Sequence, residues 1–198
     1  LVGSEMCIRD RTTQRFKTLL QGNVDAIYFN EKLYIGKREE VFVYNESTGN
    51  FDLYYHLAGK DITLSCLHLD EKKNLWMGTT SNGLYCLSGD KKISQPVTRG
   101  NIASIYEDSS KELWICTWEE GLYRIKTDST IENFRHDPKN PNSICTDFVR
   151  SCCEDNAGNL WIGTFHGLNR YEKSTGKFQL YTANANKPDG LTHSSIWC

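Results

Sequence analysis

The chain has 198 residues and a formal net charge of −2, with 38% hydrophobic and 24% charged residues, which is ordinary for a soluble globular domain. It has no basic run, so the electrostatic footprint of a nucleic-acid-binding surface is missing. No stretch approaches 18 apolar residues, so we expect no membrane span within these residues. Aromatic residues reach 12% with only four prolines, which favours pleated strands over a helical bundle.

The first ten residues, LVGSEMCIRD, resemble the translation of a transposon-end adapter used in sequencing libraries, with Arg11 completing a split codon. We therefore set residues 1–11 aside as an adapter artefact before reasoning about the fold. On this interpretation the open reading frame begins inside a longer gene. The stretch from Gln14 to Leu20 then resembles the outer strand of an earlier repeat unit.

Three segments of the chain repeat one another without gaps. They are Leu67 to Gly78 (LHLDEKKNLWMG), Ile105 to Cys116 (IYEDSSKELWIC) and Cys152 to Gly163 (CCEDNAGNLWIG). In each, an aspartate precedes a tryptophan by six residues and a glycine follows: Asp70, Trp76 and Gly83; Asp108, Trp114 and Gly121; Asp155, Trp161 and Gly167. A degenerate first copy, Val24 to Tyr55, has Tyr34 at the tryptophan position. A repeat of about 40 residues indicates one supersecondary unit per copy.

Each unit predicts four short antiparallel strands joined by polar turns, so the expected fold is an all-β propeller of four-stranded blades. The blades are expected at residues 23–57, 61–97, 101–136 and 143–183, with partial blades at both ends, because Leu191 to Cys198 aligns with Ile144 to Ser151. Strands that are apolar on both faces need cover on both sides, which radial stacking supplies. The repeated tryptophan is then expected to fill the seam between blades. Four blades with broken units at the ends predict an incomplete arc of a larger propeller.

Nothing in the sequence predicts catalysis or a cofactor. The eight cysteines form no CxxC pair and the five histidines have no metal-ligand spacing, so we expect no metal site. The carboxylate pairs Glu107-Asp108 and Glu154-Asp155 could suggest acid–base chemistry. They recur at the same turn position, however, and one active site does not need a copy in every blade. We therefore predict no catalytic residues and a chain that is not an enzyme.

The segment from Val149 to Tyr171, VRSCCEDNAGNLWIGTFHGLNRY, resembles the two-component regulator propeller repeat almost position by position, and the linker His136 to Ile144 resembles that family's inter-blade loop. The resemblance implies a seven-bladed propeller in the extracytoplasmic sensor of a hybrid histidine kinase, on the periplasmic side of a bacterial inner membrane. It also implies an oligosaccharide or other small ligand, neighbouring blades and a second copy of the parent protein as partners. Cys116 in place of glycine, and the first copy without its tryptophan, depart from the pattern.

A ligand site on a propeller is expected on the face that carries the loops between the second and third strands and between blades. The copies diverge there, and we select the aromatic and ionisable side chains as candidate ligand-binding residues. These candidates are Arg38, Trp118, Glu119, Arg150, Phe165 and His166. Each is equally open to a plainer interpretation as a solvated loop residue, or as an inter-blade contact for Trp118 and Arg150. Two other functions stay open: a scaffold for protein partners, and a polysaccharide lyase or glycosidase.

Overall fold

The computed structural model describes residues 5–9, 16–21, 24–58, 61–90, 92–94, 97–183 and 191–196, and their secondary structure is strand, turn and loop. Sixteen of the strands form four antiparallel sheets, which we call blades 1 to 4. Blade 1 has β3 (Ala26–Asn30), β4 (Lys32–Lys37), β5 (Glu40–Asn45) and β6 (Asn50–His56); blade 2 has β7 (Leu64–Leu69), β8 (Leu75–Thr79), β9 (Leu84–Leu87) and β10 (Ile93–Ser94); blade 3 has β11 (Ile102–Glu107), β12 (Leu113–Thr117), β13 (Leu122–Ile125) and β14 (Ile131–Phe134); blade 4 has β15 (Val149–Glu154), β16 (Leu160–Thr164), β17 (Gly167–Glu172) and β18 (Lys177–Tyr181). The expected all-β fold with four-stranded blades is confirmed.

The two remaining strands pair with each other. β1 (Glu5–Arg9) and β2 (Phe16–Gln21) run antiparallel as a separate two-stranded sheet. β1 lies inside the segment that the sequence analysis attributes to an adapter, and the origin of that segment stays a prediction. Within the described ranges, no helix is long and apolar enough to cross a membrane.

Successive blades pack through their first strands, which contact one another in the order β3, β7, β11 and β15. We call the first strand of each blade its inner strand and the surface between consecutive blades a seam. The second strands β8 (LWMGT) and β12 (LWICT) are buried along their whole length, because a neighbouring sheet covers each face. This is the arrangement that the doubly apolar strands predict.

The tryptophans of blades 2 and 3 lie in the seams. Trp114 of blade 3 is fully buried among blade 4 residues, including Val149 and Leu160. Trp76 of blade 2 packs in the same way against Leu113 and Ile115 of blade 3. Tyr34 of blade 1 belongs to the cluster that blade 2 completes. Burying such a ring contributes roughly 1.5–3 kcal/mol by area, so the seams carry much of the cohesion between blades.

Each tryptophan is tied to the aspartate six residues before it. The indole Nε1 donates to the aspartate Oδ2 at 2.9 Å in blades 2 and 3 and at 2.8 Å in blade 4. The same carboxylate accepts backbone N–H groups of its own turn, as Asp155 does from Ala157 and Asn159, both at 2.9 Å. The aspartate therefore shapes the turn and satisfies the indole at once, which explains why the two residues recur as a pair.

Candidate functional site

Three aromatic side chains meet on the face that carries the loops between the second and third strands. The ring of Trp118, which follows β12, lies 5.7 Å from the ring of Phe165, which follows β16. Phe148, in the loop that leads into β15, lies 6.0 Å from Phe165 at a nearly perpendicular angle of 85°. Phe148 is 41% exposed, so this aromatic cluster presents an apolar ring to solvent. Blades 3 and 4 both contribute to it.

Arg150 lies beneath these rings. Its guanidinium carbon is 3.9 Å from the centre of the Phe165 ring and 4.8 Å from that of Trp118. A cation over aromatic faces is attracted by the ring quadrupoles. Desolvation lowers the pKa of the Arg150 guanidinium, which nevertheless stays protonated because arginine is not deprotonated in proteins at neutral pH. The cluster therefore combines flat apolar surface with a fixed positive charge.

Asp147 holds together the two loops that carry Trp118 and Phe148. Its carboxylate pairs with Arg135 at 2.7 Å and accepts the His136 backbone N–H at 2.7 Å. Its carbonyl accepts the Gly121 N–H at 3.0 Å, while Arg135 also donates to the Glu119 carbonyl at 3.1 Å. Because these bonds connect the loop after β12 to the loop before β15, the spacing between Trp118 and Phe148 is set by backbone and ion-pair geometry.

A cleft of about 430 Å³ opens beside the cluster. Its wall includes Trp118 and Arg150 together with Asp25, Ser65 and Asn101, which belong to the inner ends of blades 1 to 3. The cleft thus collects side chains from four consecutive blades around the inner strands. It offers carboxylate, hydroxyl and amide groups next to an aromatic wall, the mixture typical of small-molecule sites.

The six candidate residues from the sequence have different surroundings. Trp118, Phe165 and Arg150 come together in the cluster. Glu119 and His166 are exposed neighbours of Trp118 and Phe165 in the chain, and His166 donates its backbone N–H to Thr164. Arg38 lies in blade 1, where its backbone N–H donates to Asp25 at 2.6 Å in a turn with φ of +52°. The binding role of all six stays a prediction.

Phe148 was missed by sequence reasoning. It lies in a segment that was interpreted only as the approach to an inner strand, and no departure from the repeat pattern marks it. The available signal was its place in the inter-blade loop, two residues before Arg150, on the face where a ligand site is expected.

The buried thiols do not offer a nucleophile. Burial raises the pKa of Cys66 to about 12 and that of Cys86 to about 11. The hydrogen bond with Cys116, together with burial, raises the pKa of Cys152. Since the thiolate is the reactive form, these cysteines act as small core residues. Among the described residues, no group of three or more histidine, cysteine, aspartate or glutamate side chains could hold a metal ion.

The model of the two-component regulator propeller family matches residues 143–166. This segment contains the approach to blade 4, its inner strand, the Asp155 turn and the Trp161 strand. The resemblance found in the sequence is therefore confirmed for this repeat. No curated protein matches the chain.

Several solved structures share the fold at low identity. The extracellular domain of the hybrid two-component system BT4673 from Bacteroides thetaiotaomicron is 17% identical, with a TM-score of 0.68, over 97% of this chain and 34% of that domain. A catalytically inactive virginiamycin B lyase from Staphylococcus aureus is 16% identical, with a TM-score of 0.64, over 82% of this chain and 56% of the lyase. PorZ, a surface component of the type-IX secretion system of Porphyromonas gingivalis, is 16% identical, with a TM-score of 0.66, over 88% of this chain and 30% of PorZ.

These similarities establish the architecture and leave the activity open, because a sensor domain, a lyase and a secretion component share it. The chain spans only about a third of the sensor domain and a little over half of the lyase. Residues 143–166 are a two-component regulator propeller repeat, set in a run of four β-propeller blades.

Proposed function

We propose that this chain is the ligand-sensing part of an extracytoplasmic two-component receptor and that the aromatic cluster of Trp118, Phe165 and Phe148 binds an oligosaccharide. The observation that carries the proposal is the meeting of three rings from two blades on the loop face, beside a cleft. The family match over residues 143–166 supports a regulatory rather than a catalytic role.

The chemistry of the cluster fits a sugar ring. The C–H face of a pyranose is apolar and packs on an aromatic face, while its hydroxyl groups need hydrogen-bond partners. Asp25, Asn101 and Ser65 line the adjacent cleft and supply such partners. The guanidinium of Arg150 adds a positive charge that suits a hydroxyl or carboxylate oxygen.

The position of the cluster suggests how binding is signalled. Trp118 belongs to blade 3, whereas Phe148 and Phe165 belong to blade 4, so a ligand that contacts all three rings couples the packing of two blades. A ligand shifts a conformational equilibrium by its differential affinity for the two states. In the parent receptor, which we place on the periplasmic side of a bacterial inner membrane, such a shift would pass to further domains.

The test uses tryptophan fluorescence and calorimetry to measure how the full chain binds purified xylo-oligosaccharides, arabino-oligosaccharides and oligogalacturonates. Phe148→Ala is the informative variant, because an exposed ring can be removed with little effect on folding. We expect it to weaken binding at least tenfold, about 1.4 kcal/mol.

Tyr54→Ala is the matched control. Tyr54 is 42% exposed, nearly the same as Phe148, but lies on β6, the outer strand of blade 1. It should leave the affinity unchanged. Absence of binding to all three classes, equal loss in both variants, or cleavage products in the binding mixtures would each reject the proposal.

A further inference from the structure

A half-buried ammonium group, that of Lys173, neutralises two buried carboxylates in the seam between blades 3 and 4. Lys173, which follows β17, places its Nζ 2.8 Å from Asp108 Oδ2 of blade 3 and 2.6 Å from Glu154 Oε1 of blade 4. The side chain of Asp108 is fully buried and that of Glu154 is 7% exposed. Two carboxylates at this depth need a cation, because an unpaired buried charge is strongly unfavourable.

The preceding seam, between blades 2 and 3, has the same pair of carboxylates. Asp70 precedes Trp76 by six residues, as Asp108 precedes Trp114, and Glu107 precedes Asp108 as Glu154 precedes Asp155. The pair is therefore Asp70 of blade 2 and Glu107 of blade 3. Asp70 is 8% exposed and the side chain of Glu107 is 13% exposed.

The lysine is replaced in this seam. Arg124 pairs with Trp114 across the sheet, and Arg170 pairs with Trp161 at the equivalent position of blade 4. Counting three residues onward from each arginine makes Thr127 the counterpart of Lys173. The short threonine side chain leaves the two carboxylates without the ammonium that their counterparts have.

A groove of about 600 Å³ lies where that ammonium would be. Asp70, Glu107 and Thr127 all line it, and Trp76 and Ile125 are part of its apolar wall. Among the described residues, Ser94 of the outer strand β10 also lines the groove. The groove therefore places the anionic pair beside an apolar patch that includes Trp76 and Ile125.

The existing partners of Asp70 and Glu107 satisfy their need for hydrogen-bond donors but bring little positive charge to the two carboxylates. Asp70 Oδ2 accepts from Trp76 Nε1 and from the side-chain amide of Asn74, each at 2.9 Å, and both donors are neutral. Glu107 Oε2 lies 3.2 Å from Nε2 of His68, which is cationic only when protonated.

The lysines around the groove are engaged or exposed. Lys111 forms an ion pair with Glu71, and Lys126 pairs with Glu132 at 2.5 Å. The third, Lys72, is exposed at the rim. Among the described residues the ion pairs of Lys111 and Lys126 are with Glu71 and Glu132, and the charge of Lys111 also acts on Glu107 without a direct ion pair between them.

We propose that the groove between blades 2 and 3 binds a primary ammonium group carried on an apolar chain, with Asp70 and Glu107 as its anionic partners. The ammonium takes the position that Lys173 occupies in the next seam, and the chain lies along Trp76 and Ile125. This site lies on a different part of the blades from the aromatic cluster and does not depend on the proposed sugar binding.

The probe is n-hexylamine, and 1-hexanol serves as the uncharged control of the same length. Calorimetry and thermal unfolding of the full chain should show saturable binding of the amine, with at least tenfold weaker binding of the alcohol. Glu107→Gln should weaken amine binding at least tenfold. Equal affinity for both probes, or no binding of the amine, overturns the proposal.

Two substitutions to lysine distinguish binding in this groove from a general effect of added positive charge. Thr127→Lys builds the internal ammonium of the next seam into this one and should abolish amine binding. Thr130→Lys adds the same charge to the same hairpin at an exposed position that does not line the groove, and should leave binding within twofold. Retained binding in Thr127→Lys, or equal loss in both variants, contradicts the assignment.

The reciprocal variant is Lys173→Thr. It should create a second amine site in the seam between blades 3 and 4, seen as a second binding event and as a larger rise in Tm on adding n-hexylamine than in the parent chain. A folded Lys173→Thr protein without this second event counts against the proposal. If this variant does not fold, the comparison of Thr127→Lys with Thr130→Lys still decides.

Discussion

The seam between blades 1 and 2 and the seam between blades 3 and 4 share one backbone arrangement but use different chemistry. The first is filled by aliphatic residues and Tyr34. The second holds the indole of Trp114, its aspartate and the ammonium of Lys173. A tyrosine hydroxyl bonds the backbone of the next blade at equivalent positions but in opposite directions: Tyr28 donates to the Leu69 carbonyl, and Tyr106 accepts the Glu154 N–H, each at 3.1 Å.

The difference shows that the aspartate and the tryptophan are kept or lost together. In blade 1 a single residue, Glu31 with φ of +57°, connects β3 to β4, so the turn has no place for the aspartate. Tyr34 has no indole N–H that such a carboxylate would satisfy. An indole without the carboxylate, or the carboxylate without the indole, would leave a buried polar group unpaired, which costs about 1–3 kcal/mol.

The largest expected effect comes from removing the indole of Trp114 from the seam between blades 3 and 4. Trp114→Ala deletes a fully buried ring at the junction of blades 3 and 4 and should lower the free energy of unfolding by about 4 kcal/mol. Tyr34→Phe, at the equivalent position of blade 1, keeps the ring and should cost less than about 1.5 kcal/mol. Denaturant titration of both variants measures the difference, and a similar loss in both would contradict the assigned role of Trp114.

The next largest effect is expected from removing the ammonium group of Lys173 from the seam between blades 3 and 4. Lys173→Met keeps an unbranched apolar side chain one atom shorter than lysine but leaves Asp108 and Glu154 buried without a cation, so we expect a loss of about 3 kcal/mol. Lys92→Met is the control, since Lys92 forms an exposed ion pair with Asp90, and such pairs contribute at most about 1 kcal/mol. Equal stability of the two variants would show that the buried pair is not held by Lys173.

The fold could be predicted from the sequence because the residues that define a blade are local. The six-residue interval from Asp108 to Trp114, and the glycine after it, lie within the first three strands of one blade and repeat along the chain. Gly121 shows why the pattern is strict: its φ is +80°, and a Cβ there would lie 2.3 Å from the Phe134 carbonyl oxygen. No L-residue with a side chain fits such a place without displacing the backbone.

The site could be predicted only in part, because its contacts cross between blades. Trp118 and Phe165 could be selected from the sequence as aromatic residues on divergent loops, but their meeting with Phe148 depends on how blades 3 and 4 are placed. The contact of Lys173 with Asp108 joins residues 65 positions apart. No local pattern signals such a contact, and the absence of a lysine at Thr127 acquires meaning only once the two seams are superimposed.

The smallest expected effect is on how the free energy of unfolding depends on pH. Blades 3 and 4 have the aspartate that bonds a tryptophan, whereas blade 1 does not. Hydrogen bonds from Trp161 and Asn159 lower the pKa of Asp155 to about 2, below the ordinary value of about 3.9. Burial alone would raise the pKa of Asp108, but bonds from Lys173 and Trp114 outweigh it and lower that pKa as well. Because the folded chain binds fewer protons than the unfolded chain in this range, these groups contribute stability above about pH 4.

This contribution is lost progressively as the pH falls from about 4 towards 2, through the folded pKa of Asp155. Asp155→Asn removes the titrating group, so its free energy of unfolding should change less steeply with pH over that window than that of the parent chain. Glu46→Gln, an exposed position in the β5–β6 turn of blade 1, should keep the parent slope. Urea titrations at half-unit pH intervals measure both slopes. If Asp155→Asn kept the parent slope, the acid sensitivity would have to arise outside the blade 4 turn, and the aspartate would contribute geometry to its tryptophan without contributing charge.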